Sequence, residues 1–120
     1  MRDFQQLEIW QRSHQLTLNI YTRTQVFPKE ELFGLTSQMR RSAASIPTNI
    51  AEGCGLDSSS DFRRFLIIAA GSISELQYQL ILCKDLRYLN ETVFKELLDE
   101  TSQIRKMLHR FAEKLKADGS

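Results

Sequence analysis

The sequence predicts an all-α fold, an antiparallel up-down four-helix bundle, and two of its features indicate that class. Apolar residues recur at intervals of three and four along the 120 residues, whereas the alternation typical of β-strands is absent. Turn-forming residues are few, since the chain has two prolines and five glycines. Four long amphipathic segments with short links favour a bundle whose helices pack at about 20°.

Composition favours a single cytoplasmic domain. Hydrophobic residues make up 42% of the chain and charged residues 26%, as in ordinary globular proteins. No apolar run approaches the roughly 18 residues of a membrane span, and the start MRDFQQLEIW does not resemble a signal peptide. We therefore expect one domain over residues 1–116, a disordered tail over residues 117–120, a cytoplasmic location and no contact with a membrane.

The first helix is expected to begin at Asp3, with Gln6 three residues later as its capping-box partner. Its core stripe is predicted to consist of Leu7, Trp10, His14, Leu18 and Tyr21. The helix ends before VFPKEE, where Pro28 and the acidic residues after it are typical of the start of a second helix.

The second helix contains a proline within a continuous apolar pattern. Its predicted core stripe consists of Leu32, Leu35, Met39, Ala43, Ile46 and Ile50. Ile50 stays in phase with the residues before Pro47, which would not be required if a new element began there. A proline inside a helix destabilises it by roughly 3 kcal/mol and bends it. We therefore expect one helix that is kinked at Pro47 and ends with Gly53 as a left-handed cap.

The third and fourth helices have regular apolar patterns. The third is expected to start with Ser58 as its N-cap and Asp61 three residues later, and the fourth is expected to start after Asn90. The predicted core stripe of the third helix consists of Phe62, Leu66, Ala69, Ile73, Leu76, Leu80 and Cys83. That of the fourth consists of Phe94, Leu97, Thr101, Ile104, Leu108, Phe111 and Leu115.

Apolar residues outside the predicted core indicate self-association. The third helix has an outer stripe of Ile67, Gly71, Tyr78 and Leu82. The first helix repeats the pattern with Ile9, Leu16 and Ile20. Monomers seldom expose large apolar patches, so a homo-oligomer is expected. The alternative is a splayed bundle in which one helix is central.

The outward face of the second helix combines small residues with two charged ones. Arg41 and Glu52 lie about three turns apart, and we expect them to meet charges on a neighbouring subunit. The small residues are Ser37, Ala44, Ser45 and Thr48. A solvated face is the alternative, since most surface charge pairs are weak. The predicted interface residues are therefore Ile67, Gly71, Tyr78, Leu82, Arg41 and Glu52.

The sequence contains no recognised motif for catalysis, for a metal or for a cofactor. His14 and His109 lack the Glu-x-x-His spacing of carboxylate metal bundles. Cys54 and Cys83 form no CxxC pair, which indicates reduced thiols. The segment EGCGLDSSSDF precedes a helix as phosphate-binding loops do, but no strand before it and no lysine after it completes such a site. We expect a protein that is not an enzyme.

Basic residues form three short clusters that suit phosphate contacts. The candidate nucleic-acid residues are Arg40, Arg41, Arg63, Arg64, Arg105, Lys106 and Arg110. A net charge of +1 excludes a strong attraction of the whole chain to nucleic acid, and cations near the end of the fourth helix also suit its dipole. Helical geometry places Arg40 at the flank of the core stripe and points Arg41 away from it. We therefore expect a carboxylate of the same bundle or of an adjoining subunit to hold Arg40, and Arg41 to be the freer of the two.

Three segments resemble a known family: LEIWQRSHQLTLNIY, FPKEELFGLTSQMRRSAASIPTNIAEG and DFRRFLIIAAGSISELQYQL. They are similar to the four-helix proteins encoded in intervening sequences of bacterial 23S rRNA genes. That family resembles the accessory variability protein of diversity-generating retroelements, a pentameric barrel that binds a reverse transcriptase and nucleic acid. The resemblance implies a homopentamer whose partners are RNA or DNA and a reverse transcriptase.

The family signature includes glycine, arginine and proline positions that this chain retains. Its residues here are Phe33, Gly34, Leu35, Arg40, Arg41, Ser45, Pro47, Asn49, Glu52 and Gly53. Two departures are present, since Leu56 and Ala70 stand where relatives often have arginine. Both departures remove a positive charge, which weakens the nucleic-acid binding that the resemblance implies.

Overall fold

Four α-helices follow one another along the chain in the computed structural model, which describes residues 3–119. They are α1 (Glu8–Thr24), α2 (Leu35–Cys54), α3 (Ser59–Asp85) and α4 (Glu91–Gly119), with short 3-10 helices at Phe4–Gln6 and Lys29–Glu31. Each helix packs against the next, and α4 returns to α1. The described residues contain no strand, and the bundle measures 46 × 22 × 20 Å. The predicted all-α four-helix class is confirmed.

The core of the bundle largely uses the predicted stripes of α2, α3 and α4. All seven predicted residues of α3 are at most 1% exposed. In α2 every predicted residue except Leu32 is buried, and Leu32 is 49% exposed because it lies in the turn before the helix begins. In α4, Phe111 is only partly buried and packs edge-on against Phe62, while the adjacent Ala112 enters the core.

The buried face of α1 is not the predicted one. Ile9, Leu16 and Ile20 lie in the core, whereas Leu18 and Tyr21 of the predicted stripe are 47% and 43% exposed. Both faces of α1 are apolar, so spacing alone does not choose between them. The buried face also carries small hydroxyl residues, which let α1 approach closely and which bond its own carbonyls: Ser13, Thr17 and Thr24. The prediction that Ile9, Leu16 and Ile20 face a partner is therefore wrong.

The first residues of the described chain form a 3-10 turn rather than the first turn of α1. The Asp3 side chain accepts a hydrogen bond from the Gln5 N–H at 3.0 Å, instead of forming a capping box with Gln6. Leu7 then adopts an extended backbone conformation. Because of that extended residue, α1 begins at Glu8 and not at the predicted Asp3.

The starts of α3 and α4 agree with the sequence. Ser58 Oγ accepts a hydrogen bond from the Asp61 N–H at 3.0 Å, which is the predicted cap. Asn90 Oδ1 accepts one from the Val93 N–H at 2.8 Å. Each bond satisfies a backbone donor that the first turn of a helix leaves without a partner.

The end of α3 is a Schellman turn with arginine in the position that usually holds glycine. The Tyr88 N–H donates to the Cys83 carbonyl at 2.8 Å, and the Arg87 N–H donates to the Lys84 carbonyl at 3.0 Å. Arg87 has a φ of 66°, the only positive φ among the described residues. The turn reverses the chain so that α4 runs back along α3.

The second helix runs without interruption through Pro47, as predicted. Proline has no N–H to donate to the carbonyl of Ala43, four residues before it. The hydroxyl of Thr17 on α1 lies 3.1 Å from that carbonyl oxygen and 2.8 Å from the carbonyl oxygen of Ser13. A side chain of α1 thus supplies a donor at the point where α2 lacks one.

The predicted left-handed cap at Gly53 is wrong, because α2 continues to Cys54 and no described glycine has a positive φ. Gly53 is instead buried inside the last turn of α2. A Cβ at this position would lie 2.8 Å from Phe62 Cδ1 and 2.8 Å from Phe65 Cβ. Glycine is therefore required here because α2 and α3 approach each other closely.

The last helix extends beyond the predicted end of the domain at residue 116. Residues 117–119 belong to α4, and residue 120 lies outside the described residues. At this end of α4 Gly119 lies so close to Ser59, at the start of α3, that a Cβ on Gly119 would overlap the Ser59 side chain.

One described helix, α3, is long and apolar enough to cross a membrane by length and composition alone. This differs from the expectation that no segment of the sequence reaches that threshold, because a span tolerates a few polar residues. A core helix in a soluble bundle meets the same two criteria, and one face of α3 lines the core. The feature is therefore weak evidence for a membrane.

Candidate functional site

Arg40 and Arg41 are adjacent in sequence but differ in their surroundings. Arg40 Nε donates to Thr24 Oγ1 at 2.9 Å, and its guanidinium lies 4.8 Å from the centre of the Tyr21 ring. Its Nη2 also donates to the Tyr21 carbonyl at 3.4 Å, so its partners in this bundle are a hydroxyl and a carbonyl rather than the expected carboxylate. Arg41 is exposed and makes no hydrogen bond or ion pair with a described residue.

Arg63 and Arg64 are both constrained by the first turns of α3. Arg64 lies 3.9 Å from a carboxylate oxygen of Asp61, and its guanidinium lies 4.7 Å from the centre of the Phe65 ring. Arg63 is partly buried, and its Nε is buried without a hydrogen-bond partner among the described residues. Arg63 is therefore the less accessible of the two, whereas the Arg64 side chain is 60% exposed.

The three candidate basic residues of α4 also differ in their surroundings, since one is held by hydrogen bonds and two are exposed. Arg105 Nη2 donates to Ser74 Oγ at 3.1 Å and also to Gln77 Oε1, so α3 holds its guanidinium. Lys106 and Arg110 are exposed and make no hydrogen bond or ion pair with a described residue. Arg110 also borders a shallow hollow of about 350 Å³ together with Met107, Phe111 and Lys114.

The structure does not bring the three basic clusters into one patch. No contact joins α2 to α4 among the described residues, so Arg41 lies on a different side of the bundle from Lys106 and Arg110. Among the seven candidate residues, those that are exposed without a side-chain partner among the described residues are therefore Arg41 on α2 and Lys106 and Arg110 on α4. The exposed candidates of α4 form a modest positive surface on a single subunit.

The outer face of α3 is exposed and mostly uncharged, as predicted. Tyr78 is 62% exposed and Ile67 is 50% exposed. Gly71 between them is also exposed, and a Cβ there would meet nothing within 4 Å. Leu82 was predicted to be exposed on this face, but it is only partly exposed and packs against the core. Two further exposed residues extend the face and were missed from sequence, namely Ile68 and Ile81.

A long groove runs between α1 and the outward face of α2. It consists of two hollows, of about 440 Å³ and about 420 Å³, that share Ala44. The first is lined by Phe4, Trp10, His14, Thr17, Ala44, Pro47, Thr48, Ala51 and Glu52. The second is lined by Tyr21, Leu32, Phe33, Ser37, Arg40, Arg41 and Ala44. Most of these side chains are apolar or small, so the groove suits another protein surface better than a charged polymer.

Phe33 is the most exposed large apolar residue of the described chain, at 94%. In the sequence Phe33 stands out only as part of the family signature, because it lies in the turn before α2 and outside the helical phase. The rest of the turn is held in place, since Glu31 accepts hydrogen bonds from the Leu35 N–H at 3.3 Å and the Tyr88 hydroxyl at 2.9 Å. The hydrogen bond to Glu31 raises the pKa of the Tyr88 phenol.

An ion pair between α1 and α4 was also missed from sequence. Arg12 Nη2 lies 2.6 Å from Glu100 Oε1, and its Nε lies 3.2 Å from Oε2, so the pair is bidentate. The hydrogen bond to Glu100 raises the pKa of the Arg12 guanidinium further. The two residues are 88 positions apart, and no local pattern indicates that they meet.

The contacts of His14 and the burial of the two cysteines indicate structural roles for these residues. His14 stacks on Trp10 with ring centres 5.0 Å apart, and no group of three potential metal ligands occurs within residues 3–119. Cys54 and Cys83 are buried and are not joined by a disulfide. Burial, and to a lesser extent the charge of Glu31, raises the pKa of Cys83 to about 12, so its thiol stays protonated and unreactive at neutral pH.

Comparison with known proteins gives a family and a fold. A family model described as 23S rRNA-intervening sequence protein matches residues 5–110. A solved structure from Bacteroides thetaiotaomicron, described as a protein with unknown function from the S23 ribosomal protein family, is similar with a TM-score of 0.80. The match covers 88% of this chain and 95% of that chain at 24% identity, so it shows the fold alone. No functionally curated protein is significantly similar.

Proposed function

Because the chain belongs to the 23S rRNA-intervening sequence protein family, we propose that it is a non-enzymatic, cytoplasmic homo-oligomer that binds nucleic acid or assists a reverse transcriptase. The proposal that the protein is an oligomer rests on the exposed apolar face of α3, because a helix in a monomeric bundle has a polar outer face. A ring of five subunits is the assembly implied by the resemblance to the retroelement accessory protein. The proposed reverse-transcriptase role has the same origin.

The nucleic-acid part of the proposal is supported by the exposed cations of α4. Lys106, Arg110 and Lys114 lie on one helix and are exposed. Phosphate contacts supply affinity without reading base identity, and each contributes only modestly. Repetition of the same row in every subunit of a ring multiplies these contacts along one polymer. The assembly would therefore bind nucleic acid although a single chain has a net charge of only +1.

We expect Tyr78→Glu to dissociate the assembly without unfolding the bundle. Tyr78 is 62% exposed, so a carboxylate there is solvated in the monomer but would be desolvated in an apolar contact. Sedimentation at micromolar concentration measures the mass, and circular dichroism measures the helix content. Val26→Glu is the matched control, since Val26 is 84% exposed and lies in the α1–α2 connection. A wild-type monomer would contradict the proposed assembly.

The double variant Lys106→Ala/Arg110→Ala is expected to weaken binding of the assembly to RNA and DNA of any sequence. It should also flatten the dependence of affinity on salt, because fewer counterions are released when fewer phosphates are contacted. Arg105→Ala serves as the control, because α3 already holds that guanidinium. Fluorescence anisotropy over about 50–200 mM salt measures both effects.

A structural scaffold with no nucleic-acid role is the second candidate. The apolar α1–α2 groove with the exposed Phe33 favours it, since such a surface suits a protein partner. One measurement distinguishes the two proposed functions. An assembly that forms but binds neither RNA nor DNA at about 50 mM salt, where counterion release favours binding most, would leave only the scaffold.

A further inference from the structure

We propose that the outer face of α3 in one copy packs antiparallel along the outward face of α2 in the next copy. In this contact Arg41 of one copy pairs with Glu75 of the other, and Glu52 pairs with Arg64. The inference rests on the proposed self-association and names the two surfaces that would form it. In this arrangement a second copy of this chain occupies the α2 side of the α1–α2 groove.

The charges on the two faces match in sign and in spacing. Arg41 and Glu52 on α2 are 11 residues apart, and Arg64 and Glu75 on α3 are also 11 residues apart. At about 1.5 Å per residue, each pair spans roughly 16 Å of helix. Both helices carry arginine first and glutamate second. An antiparallel alignment therefore places opposite charges together at both ends, whereas a parallel alignment places like charges together.

These charged groups have little to hold them within their own chain. The side chains of Arg41, Glu52 and Glu75 are exposed and make no hydrogen bond or ion pair with a described residue. Arg64 has the 3.9 Å pair with Asp61, in which both side chains are more than half exposed, and the contact of its guanidinium with the neighbouring Phe65 ring. Exposed pairs of this kind contribute little, so Arg64 can exchange its partner. Glu75 is also the only charged residue between Arg64 and Lys84.

The same alignment brings small residues together between the two ion pairs. It places Gly71 of α3 opposite Ser45 of α2, next to Ala44, which is the residue that both hollows of the groove share. A helix-interior glycine destabilises a helix relative to alanine, and nothing in its own chain requires Gly71 because a Cβ there would meet no atom within 4 Å. Close approach of a second backbone explains both the glycine and the small residues opposite it.

Apolar residues lie on the two sides of this central point. In the antiparallel alignment Tyr78 is opposite Gln38, next to Ser37, and Leu82 is opposite Gly34, next to the exposed Phe33. Ile67 is opposite Asn49 at the other side, next to Thr48. Each copy uses its α2 face for one neighbour and its α3 face for the other. Such a head-to-tail contact closes into a ring when the rotation allows it.

Charge reversal tests the proposed pairing directly. We expect Arg41→Glu and Glu75→Arg each to raise the protein concentration at which half of the chains are assembled by roughly tenfold or more, as breaking a close ion pair at an interface does. The double variant Arg41→Glu/Glu75→Arg should return it to near the wild-type value. Lys95→Glu and Glu96→Arg, on exposed positions of α4, make the same charge changes outside both faces and should have no effect.

Sedimentation velocity over a dilution series measures assembly, and circular dichroism confirms that each variant keeps its helix content. If wild-type protein assembles and the single reversals assemble equally well, the α2–α3 contact is wrong while self-association stands. The contact is likewise wrong if the double reversal stays as weak as the folded single variants. A wild-type protein that remains monomeric overturns the proposed self-association itself.

Discussion

Replacement of Gly53 by alanine is expected to destabilise the bundle by roughly 1–2 kcal/mol, although alanine is the better helix former. The added Cβ would lie 2.8 Å from both Phe62 Cδ1 and Phe65 Cβ, and 3.3 Å from the Phe62 carbonyl oxygen. A Cβ and a carbonyl oxygen cannot rotate away, so the backbones of α2 and α3 must separate. Overpacking of this kind typically exceeds the propensity gain of about 1 kcal/mol.

Gly71→Ala is the matched control for that measurement. Gly71 lies in the interior of α3, is exposed, and has open space where a Cβ would be added. The same substitution should therefore stabilise the bundle by up to about 1 kcal/mol. Both variants are best measured by urea unfolding in the Tyr78→Glu background, where assembly does not contribute. A Gly53→Ala protein as stable as its parent would show that α2 and α3 can separate at little cost.

Sequence periodicity predicted the core face of a helix where one apolar stripe was longer and more regular than any other. In α3 the stripe from Phe62 to Cys83 keeps its spacing of three and four over the whole helix, and it is the face that is fully buried. In α1 two apolar faces competed, and the bulkier aromatic one was preferred from sequence. The structure buries the face with Ile9 and Leu16, since the small residues between them allow closer packing.

The candidate surfaces were predicted in outline only. The outer stripe of α3 followed from excess apolar residues on one helix, and the structure leaves Ile67 and Tyr78 exposed. The individual roles of the basic residues could not be predicted, because they depend on contacts between distant segments. Arg105 bonds residues of α3, about 30 positions away, and Phe33 lies in a turn where helical phase gives no information.

The continuity of α2 through Pro47 was predictable from the phase of Ile50, but the way its missing hydrogen bond is compensated was not. The Thr17 hydroxyl that lies near the Ala43 carbonyl comes from α1, which is 26 residues away in sequence. A local pattern cannot show that a side chain of another helix reaches this carbonyl. The arrangement links the position of α1 to the proline in α2.

Thr17→Val is accordingly expected to destabilise the protein by about 1–2 kcal/mol. Valine has nearly the same shape as threonine but no hydroxyl, and Ala43 is fully buried, so its carbonyl would be left with one donor fewer. Thr22→Val is the matched control, because Thr22 is exposed on the same helix and bonds only the carbonyl of Leu18. It should change the stability by less than about 0.5 kcal/mol.

Pro47→Ala is expected to leave the bundle folded, and it provides the decisive comparison for Thr17. An alanine at position 47 restores an N–H that can donate to the Ala43 carbonyl, so Thr17→Val should destabilise the Pro47→Ala protein less than the wild type, by about 1 kcal/mol. Urea unfolding of the four proteins in the cycle measures this coupling free energy. Equal effects of Thr17→Val in both backgrounds would mean that the hydroxyl serves only the Ser13 carbonyl, 2.8 Å away on its own helix.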